Sequence, residues 1–349
     1  MASIKGPAVF LAQFMRDDAP FNTIDNISRY FADLGYKGIQ LPGWDGRAID
    51  IDKAAESKTY CDEYQGKLRD IGLEITEVTG YLAGQVLCMH PAYEVMFDGF
   101  HPPGLRGDAR TEWAAGELKK CIKASVNFGV TCVPVLSGAF AWHMIYPWPQ
   151  RPAGIIDEAF KEQAKRWGPI LDMAHENGCT IGYELHPGSD IYDGATFEKF
   201  LDVTNNHPAA CLNYDPSHFL LQQLDYLEFI KIYGERIKGF HVKDAEFQPS
   251  GRVGVYGGYE EWQGRAGRFR SLGDGQVDFS GVFSLMTEIG YTSWAVLEWE
   301  CCIKRPEQGA AEGAPFIAKH IIETTDLAFD DFASGGTDPE ANRNILGLS

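Results

Sequence analysis

Four apolar runs in the second half of this chain give out on a carboxylate or an imidazole. They are IGYELHP with Glu184 and His186, CLNYDPSH with Asp215 and His218, IKGFHVKD with His241 and Lys243, and AVLEWE with Glu298. One such residue is ordinary: a strand-end acid caps or pairs with the next helix, and a lone histidine is a satisfied core residue. Four together differ, because strands gathered in a barrel present their C-terminal ends to one mouth. Side chains alternate along a strand, so Glu184 and His186 share a face with Leu185 opposite. Likewise His241 pairs with Lys243, and Glu298 with Glu300. Inward-facing charge at such a mouth is costly unless paired or bound to a cation. Three carboxylates and an imidazole suit a hard divalent ion, Mn²⁺ first with Mg²⁺ and Co²⁺ as alternatives, rather than a thiolate-seeking metal. Such a site leaves room for two vicinal substrate oxygens. His90, His101, His175, His207 and His320 keep the ordinary reading.

The elements that must position these residues alternate along the chain. Strand candidates fall at 8–14, 38–42, 74–81, 132–138, 181–187, 211–218, 237–244 and 295–300, with amphipathic helical stretches between them. The last stretch, APFIAKHIIETTDLAF, closes the series. Several helices stop on a glycine, as at Gly129 and Gly178. Eight strands alternating with eight helices predict an α/β chain of the (β/α)8 TIM barrel type. An open doubly wound sheet is the structural alternative, but it would place a glycine-rich phosphate turn after the first strand, and FMRDDAPFNT contains none. The barrel is assigned to residues 1–330 as a single domain. The remainder, 331–349, reads as a C-terminal tail, loosely held or bound by a partner. The connections after the third, fourth and seventh strands are long and rich in Gly, Pro, Arg and aromatic residues, as suits enlarged βα loops covering the mouth.

Bulk properties narrow the function. With 31 basic against 49 acidic residues the net charge is −18. That repels phosphate backbones and anionic membranes, so neither nucleic acid nor a membrane is expected as a partner. No run approaches a membrane span, and the N-terminus MASIKGPAVFLAQF is too short in apolar residues for a signal peptide. The eight cysteines are scattered without a CxxC pair. Buried free thiols in a reducing, cytoplasmic setting are the expectation.

The segments ELH (184–186), DPSH (215–218), HVKD (241–244), GDGQVDF (273–279) and LEWE (297–300) stand in order at successive strand ends. In them, over about residues 8–330, the chain resembles the sugar isomerase and epimerase family with a xylose-isomerase-like TIM barrel. That family includes ketose 3-epimerases, hydroxypyruvate isomerase, inosose dehydratase and, more distantly, endonuclease IV. The resemblance implies a metal held by Glu184, Asp215, His241 and Glu298, with Glu184 and Glu298 also the acid/base pair on opposite faces of the substrate. It also implies that His186 and His218 hold substrate hydroxyls. Lys243 would either stabilise an enolate oxygen or simply pair with Asp244 or Glu300.

The chain is longer than typical epimerases of this family, and the excess lies in the mouth loops. Loop 245–277 carries Arg252, Arg265, Arg268 and Arg270 with Tyr256, Tyr259 and Trp262; loop 139–153 carries Trp142, His143, Tyr146 and Trp148. Trp142 and Arg270 are expected to bind substrate, and His143, at the end of the fourth strand, to serve as a further acid or base. Such a rim suits a glycoside or an oxidised sugar stacked on aromatic rings, or else a dimer contact. The expected activity is metal-dependent isomerisation or epimerisation by proton abstraction next to a carbonyl. Its nearest rival is a lyase that shares the first step: a keto-inositol dehydratase, or a β-eliminase (C-deglycosidase) acting on a 3-keto-glycoside. A DNA-repair nuclease would need further metal ligands and a basic face, and a non-catalytic sugar-binding barrel would not need the ligand quartet. The partners expected are a small-molecule sugar or keto-glycoside and further copies of the chain in a homo-oligomer, or a hetero-complex.

Overall fold

Each of the eight apolar runs contributes a parallel strand, although the first, expected over 8–14, runs from Lys5 to Phe10, and the run 211–218 enters a helix at Pro216. The strands are β1 (Lys5–Phe10), β2 (Gly38–Pro42), β3 (Glu74–Thr79), β4 (Cys132–Val135), β5 (Thr180–Glu184), β6 (Ala210–Tyr214), β7 (Ile237–Val242) and, last in the chain, β10 (Trp294–Leu297). This computed structural model describes residues 3–324 and 338–348. The strands lie in the order β3-β2-β1-β10-β7-β6-β5-β4, a nearly closed barrel. At the seam the Gly80 N–H donates to the Pro134 carbonyl at 2.9 Å. The missing N–H of Pro134 therefore faces β3, which explains why no regular ladder closes that gap.

Alternation along the strands separates two apolar layers. Ala8 and Phe10 of β1 pack with Trp294 and Val296 of β10 and with Tyr81 inside the barrel. Their neighbours Val9, Leu11, Ala295 and Leu297 join the larger outer layer, which includes Phe31, Trp167 and Phe283 from the surrounding helices. Those helices are α1 (Ile24–Asp33), α2 (Ile51–Glu56), α3 (Lys58–Arg69), α4 (Tyr81–Leu87), α5 (Gly107–Phe128), α6 (Ile155–Glu176), α7 (Gly194–Val203), α8 (Pro216–Leu221), α9 (Tyr226–Tyr233), α10 (Phe279–Glu288) and α11 (Pro306–His320). Local chemistry sets their ends. Thr23 caps α1, Asp193 and Thr196 form a capping box on α7, and α5 stops at Gly129, whose φ of 75° suits glycine best.

Other expectations shift as well. The third strand ends at Thr79, and Tyr81 opens α4 instead of closing the strand. The connection after β7 is partly regular: β8 (Asp244–Phe247) and β9 (Gly267–Arg270) pair antiparallel. The final barrel helix stops at His320, and residues 325–329 of the expected helix lie outside the described residues. Of the expected tail, 338–348 carries α12 (Pro339–Ile345), which buries none of its residues; positions 331–337 and 349 lie outside the described residues. All eight cysteines are free thiols. Among the described residues no helix is long and apolar enough to cross a membrane.

Candidate active site

β5 ends on Glu184, β6 is followed directly by Asp215, β7 carries His241 and is followed by Lys243, and β10 is followed by Glu298. Asp215 also caps α8, with Pro216 at the first helical position, and that turn brings His218 back over the strand ends. All six side chains are buried. The cap uses one oxygen, Oδ1, which accepts the Ser217 N–H at 2.8 Å. The other, Oδ2, has no hydrogen-bond partner among the described residues; it lies 3.4 Å from His218 Nε2 and 3.8 Å from Lys243 Nζ.

Glu184 is the hub. Its Oε2 accepts from the Tyr81 hydroxyl at 2.5 Å and from Asn213 Nδ2 at 3.1 Å, and lies 3.3 Å from His241 Nδ1. Its Oε1 is 3.1 Å from His218 Nε2. Glu298 meets His241 Nδ1 at 3.0 Å and Lys243 at 3.2 Å through Oε2, while Oε1 accepts from Gln13 at 3.0 Å. Lys243 also reaches Glu300 at 2.8 Å. Asp244 points elsewhere: it accepts backbone N–H groups of Ala245, Gly273, Gly275 and Val277, tying the GDGQ turn to β8.

Charge is balanced inside the cluster. Burial opposes ionisation of Glu184, but His241 and His218 outweigh it and hold the carboxyl well below its ordinary range. Burial and Glu184 also act against Glu298, yet Lys243 and His241 bring it down to about 2. Burial disfavours the charged forms of His241 and Lys243, and the surrounding carboxylates, Glu298 foremost, raise both well above their usual values. Asp215 is driven well up by burial; Lys243 opposes this, and Glu184 and Glu298 add to it. His218 is pushed down to about 3 by burial and by the Lys243 ammonium, so it is a neutral imidazole with a lone pair to offer.

These residues fit a divalent cation. Donor atoms of Glu184, Asp215, His218 and Glu298 lie within 4.8 Å of one another, and Asp215 Oδ2 is a buried oxygen without a hydrogen-bond partner among the described residues. Two imidazoles border these carboxylates: His218, and His241, the expected fourth ligand, whose Nδ1 lies 3.3 Å from Glu184 and 3.0 Å from Glu298. Oxygen-rich donors with one nitrogen suit hard or borderline divalent ions.

Above the cluster the mouth holds a cleft of about 650 Å³, lined among others by Trp142, His186, His218, Tyr256, Trp262 and Phe269. A second lobe of about 440 Å³ continues from His186, Trp262 and Phe269 to Gln13, Trp299 and Glu300. Trp142 and His186 thus line the cavity, and the His186 ring lies 4.4 Å from that of His218. Two expected residues lie apart. His143 is exposed and packs on His90 at 4.4 Å and Tyr93 at 5.7 Å, because the turn after β4 directs it toward the 91–100 segment. Arg270 is engaged by Glu246 at 2.8 Å and lines neither lobe. Tyr81, Asn213 and Gln13, which bond Glu184 and Glu298, and Gln40 and Glu77, linked to each other and through Gln40 to His241, were not expected from the sequence. Only a polar residue inside an otherwise apolar strand, as at Gln40, Glu77 and Asn213, could have signalled them.

An eight-stranded parallel barrel with an acid-and-imidazole cluster at its C-terminal mouth defines a class of α/β barrel proteins whose site is built from strand ends. The chain belongs to the xylose isomerase-like TIM barrel family, whose sequence model matches residues 29–320. Among curated relatives, inosose dehydratase of Clostridium botulinum is 29% identical over 186 residues, covering 48% of this chain and 59% of that one. Inosose dehydratase of Geobacillus thermodenitrificans is 30% identical over 134 residues, covering 37% and 43%. The chain thus spans about half the length of the curated relatives it matches. Similar solved structures include the probable 3-DHS dehydratase AsbF of Bacillus anthracis (TM-score 0.62, 14% identity, 90% of this chain and 99% of that). The 3-keto-D-glucoside 4-epimerase YcjR of E. coli gives 0.59, 14%, 89% and 98%. A xylose isomerase-like barrel protein of Mycobacterium smegmatis in complex with magnesium gives 0.59, 18%, 92% and 96%. These structural likenesses bear on the fold.

Proposed function

We propose that this chain is a divalent-metal-dependent enzyme that removes the proton beside the carbonyl of a ketose or keto sugar and returns it to give an isomer or epimer. The observation that carries this reading is the pair of buried carboxylates, Glu184 and Glu298, converging on His241 Nδ1 at 3.3 and 3.0 Å. Glu184, Asp215 and Glu298, with an imidazole from His218 or His241, would hold Mn²⁺ or a similar ion. Such an ion supplies Lewis-acid polarisation of a substrate carbonyl, which acidifies the neighbouring C–H. Glu184 and Glu298 come from strands three apart in the sheet order, so they reach a substrate in the mouth from two sides. One takes the proton and the other delivers one to the opposite face. Lys243, with its ammonium among these carboxylates, offsets negative charge developing on the substrate oxygen.

A second reading shares the abstraction and then expels a leaving group: the C–H electron pair forms a C=C bond, and the departing oxygen or carbon takes its bonding pair and a proton. Two observations favour it. The curated relatives are dehydratases, and the two-lobed aromatic cleft suits a sugar bearing an apolar substituent. Product analysis after incubating the Mn²⁺-loaded protein with ketoses, keto-inositols and keto-glycosides separates the two. An epimer or isomer lost on chelation supports the first reading, and an unsaturated product or released aglycone supports the second. Turnover that is indifferent to chelation overturns both.

A further inference from the structure

A buried hydrogen-bond chain runs from the metal-ligand cluster down into the barrel. His241 presents Nδ1 to Glu184 and Glu298, and its other ring nitrogen, Nε2, lies 3.0 Å from Gln40 Oε1. Gln40 in turn donates Nε2–H to Glu77 Oε2 at 3.1 Å. Gln40 is 1% exposed and Glu77 2%, so both side chains are largely shielded from solvent.

We propose that Gln40 and Glu77 are positioning residues that fix the tautomer and ring orientation of His241, making it the imidazole that faces the cation. The logic is one of donors and acceptors. The Gln40 NH₂ group points at Glu77 Oε2, and a carboxylate there, which only accepts, holds the amide in this orientation. That leaves the Gln40 oxygen toward His241, and an amide oxygen cannot donate. His241 Nε2 must therefore carry a proton, and the lone pair of the neutral ring falls on Nδ1, on the side of Glu184 and Glu298. Remove Glu77 and the amide is free to turn over, present its NH₂ to Nε2 and impose the opposite tautomer, whose Nδ1–H cannot bind a cation. Metal-binding histidines are held in this way, by an acceptor on the far ring nitrogen. His218, by contrast, makes its polar contacts among the described residues through Nε2.

The inference rests on the proposed metal dependence, and the test separates the two. Mn²⁺ affinity is measured by chelator competition in wild type, Gln40→Leu, Glu77→Leu and the exchanged pair Gln40→Glu/Glu77→Gln. In the exchanged pair the carboxylate now at position 40 accepts from His241, while the amide now at position 77 donates to that carboxylate. The single variants are expected to bind about 10- to 100-fold more weakly, with the exchanged pair recovering most of the loss. Nitrogen-detected NMR of labelled histidine in the Zn²⁺-loaded protein is expected to show His241 protonated at Nε2 in wild type and in the exchanged pair. Denaturation midpoints report folding. Unchanged affinity in Gln40→Leu overturns the proposal, as does an exchanged pair that folds like wild type yet binds like the single variants. If wild type binds no divalent ion, the metal reading fails. The positioning role is then judged on the metal-free protein, where a slowly exchanging His241 Nε2–H lost in Gln40→Leu supports it and a rapidly exchanging one in wild type overturns it.

Discussion

Glu184 owes its properties to what surrounds it rather than to burial, which alone would protonate it. Two neutral donors, Tyr81 and Asn213, and two imidazoles, His218 and His241, share its two oxygens. Removing the Tyr81 hydroxyl strips the shortest of these bonds. Hydrogen bonds to charged groups contribute about 1.5–3 kcal/mol, so Tyr81→Phe is expected to lower kcat/KM by roughly 10- to 100-fold, read by steady-state kinetics. Asn213 has its place because residue 239 is glycine: a Cβ there would stand 2.2 Å from Asn213 Oδ1. Gly239→Ala should therefore displace Asn213 and cost about 1–3 kcal/mol in a denaturant titration. The carboxylates and histidines of the cluster were legible because each closes an apolar run. Tyr81 and Gln13 were not, since nothing local to them reveals contacts made across the barrel, and the polar residues Gln40 and Glu77 inside apolar strands did not disclose their partners; Tyr81 meets Glu184 over a separation of 103 residues.

At the scale of elements, the eight barrel strands were readable as eight apolar runs, but α4 and the β8–β9 pair were not. In α4 nearly every residue is buried, so no polar face marks a helical period. β8 and β9 are four residues each and separated by the long 248–266 connection, which carries no short-turn signal. Glu246 holds that pair together, accepting from Arg268 at 2.5 Å and meeting Arg270 at 2.8 Å. Burial works against its charge, but the two guanidiniums lower its pKa in the folded chain. Its stabilisation is thus present above the ordinary glutamate pKa of about 4.3 and lost as pH falls through the lower folded value. Limited proteolysis is expected to find the 248–266 connection cut faster in strong acid than near neutrality. Glu246→Gln should be cut faster at neutral pH already, with a cost of about 1–3 kcal/mol. Equal cutting of the variant and wild type at neutral pH would show that the pair is held by its apolar contacts instead.

For the whole molecule, a nearly closed barrel gathers side chains distant in sequence into one buried cluster, so occupancy of that cluster and global stability are linked. A cation bound only by the folded chain stabilises it by about 2.7 kcal/mol at a hundredfold excess over Kd. Calorimetry is expected to show Tm rising with Mn²⁺ concentration in wild type, and no rise in Asp215→Asn/Glu298→Gln, which removes two of the proposed anionic ligands. The barrel itself was legible from strand count and rhythm. Its mouth was legible only as composition: the aromatic loops were visible, but the division of the cleft into two lobes depends on where Trp262 and Phe269 fold over the strand ends.

The central claim is proton abstraction next to a carbonyl, and it is tested most directly by solvent exchange. The Mn²⁺-loaded protein is incubated in D₂O with each keto sugar that it turns over, and deuterium at the carbon beside the carbonyl is followed by NMR. Deuterium entering that position in wild type, and failing to enter in both Glu184→Gln and Glu298→Gln, is the expected result. Exchange persisting undiminished in the two variants would contradict the account.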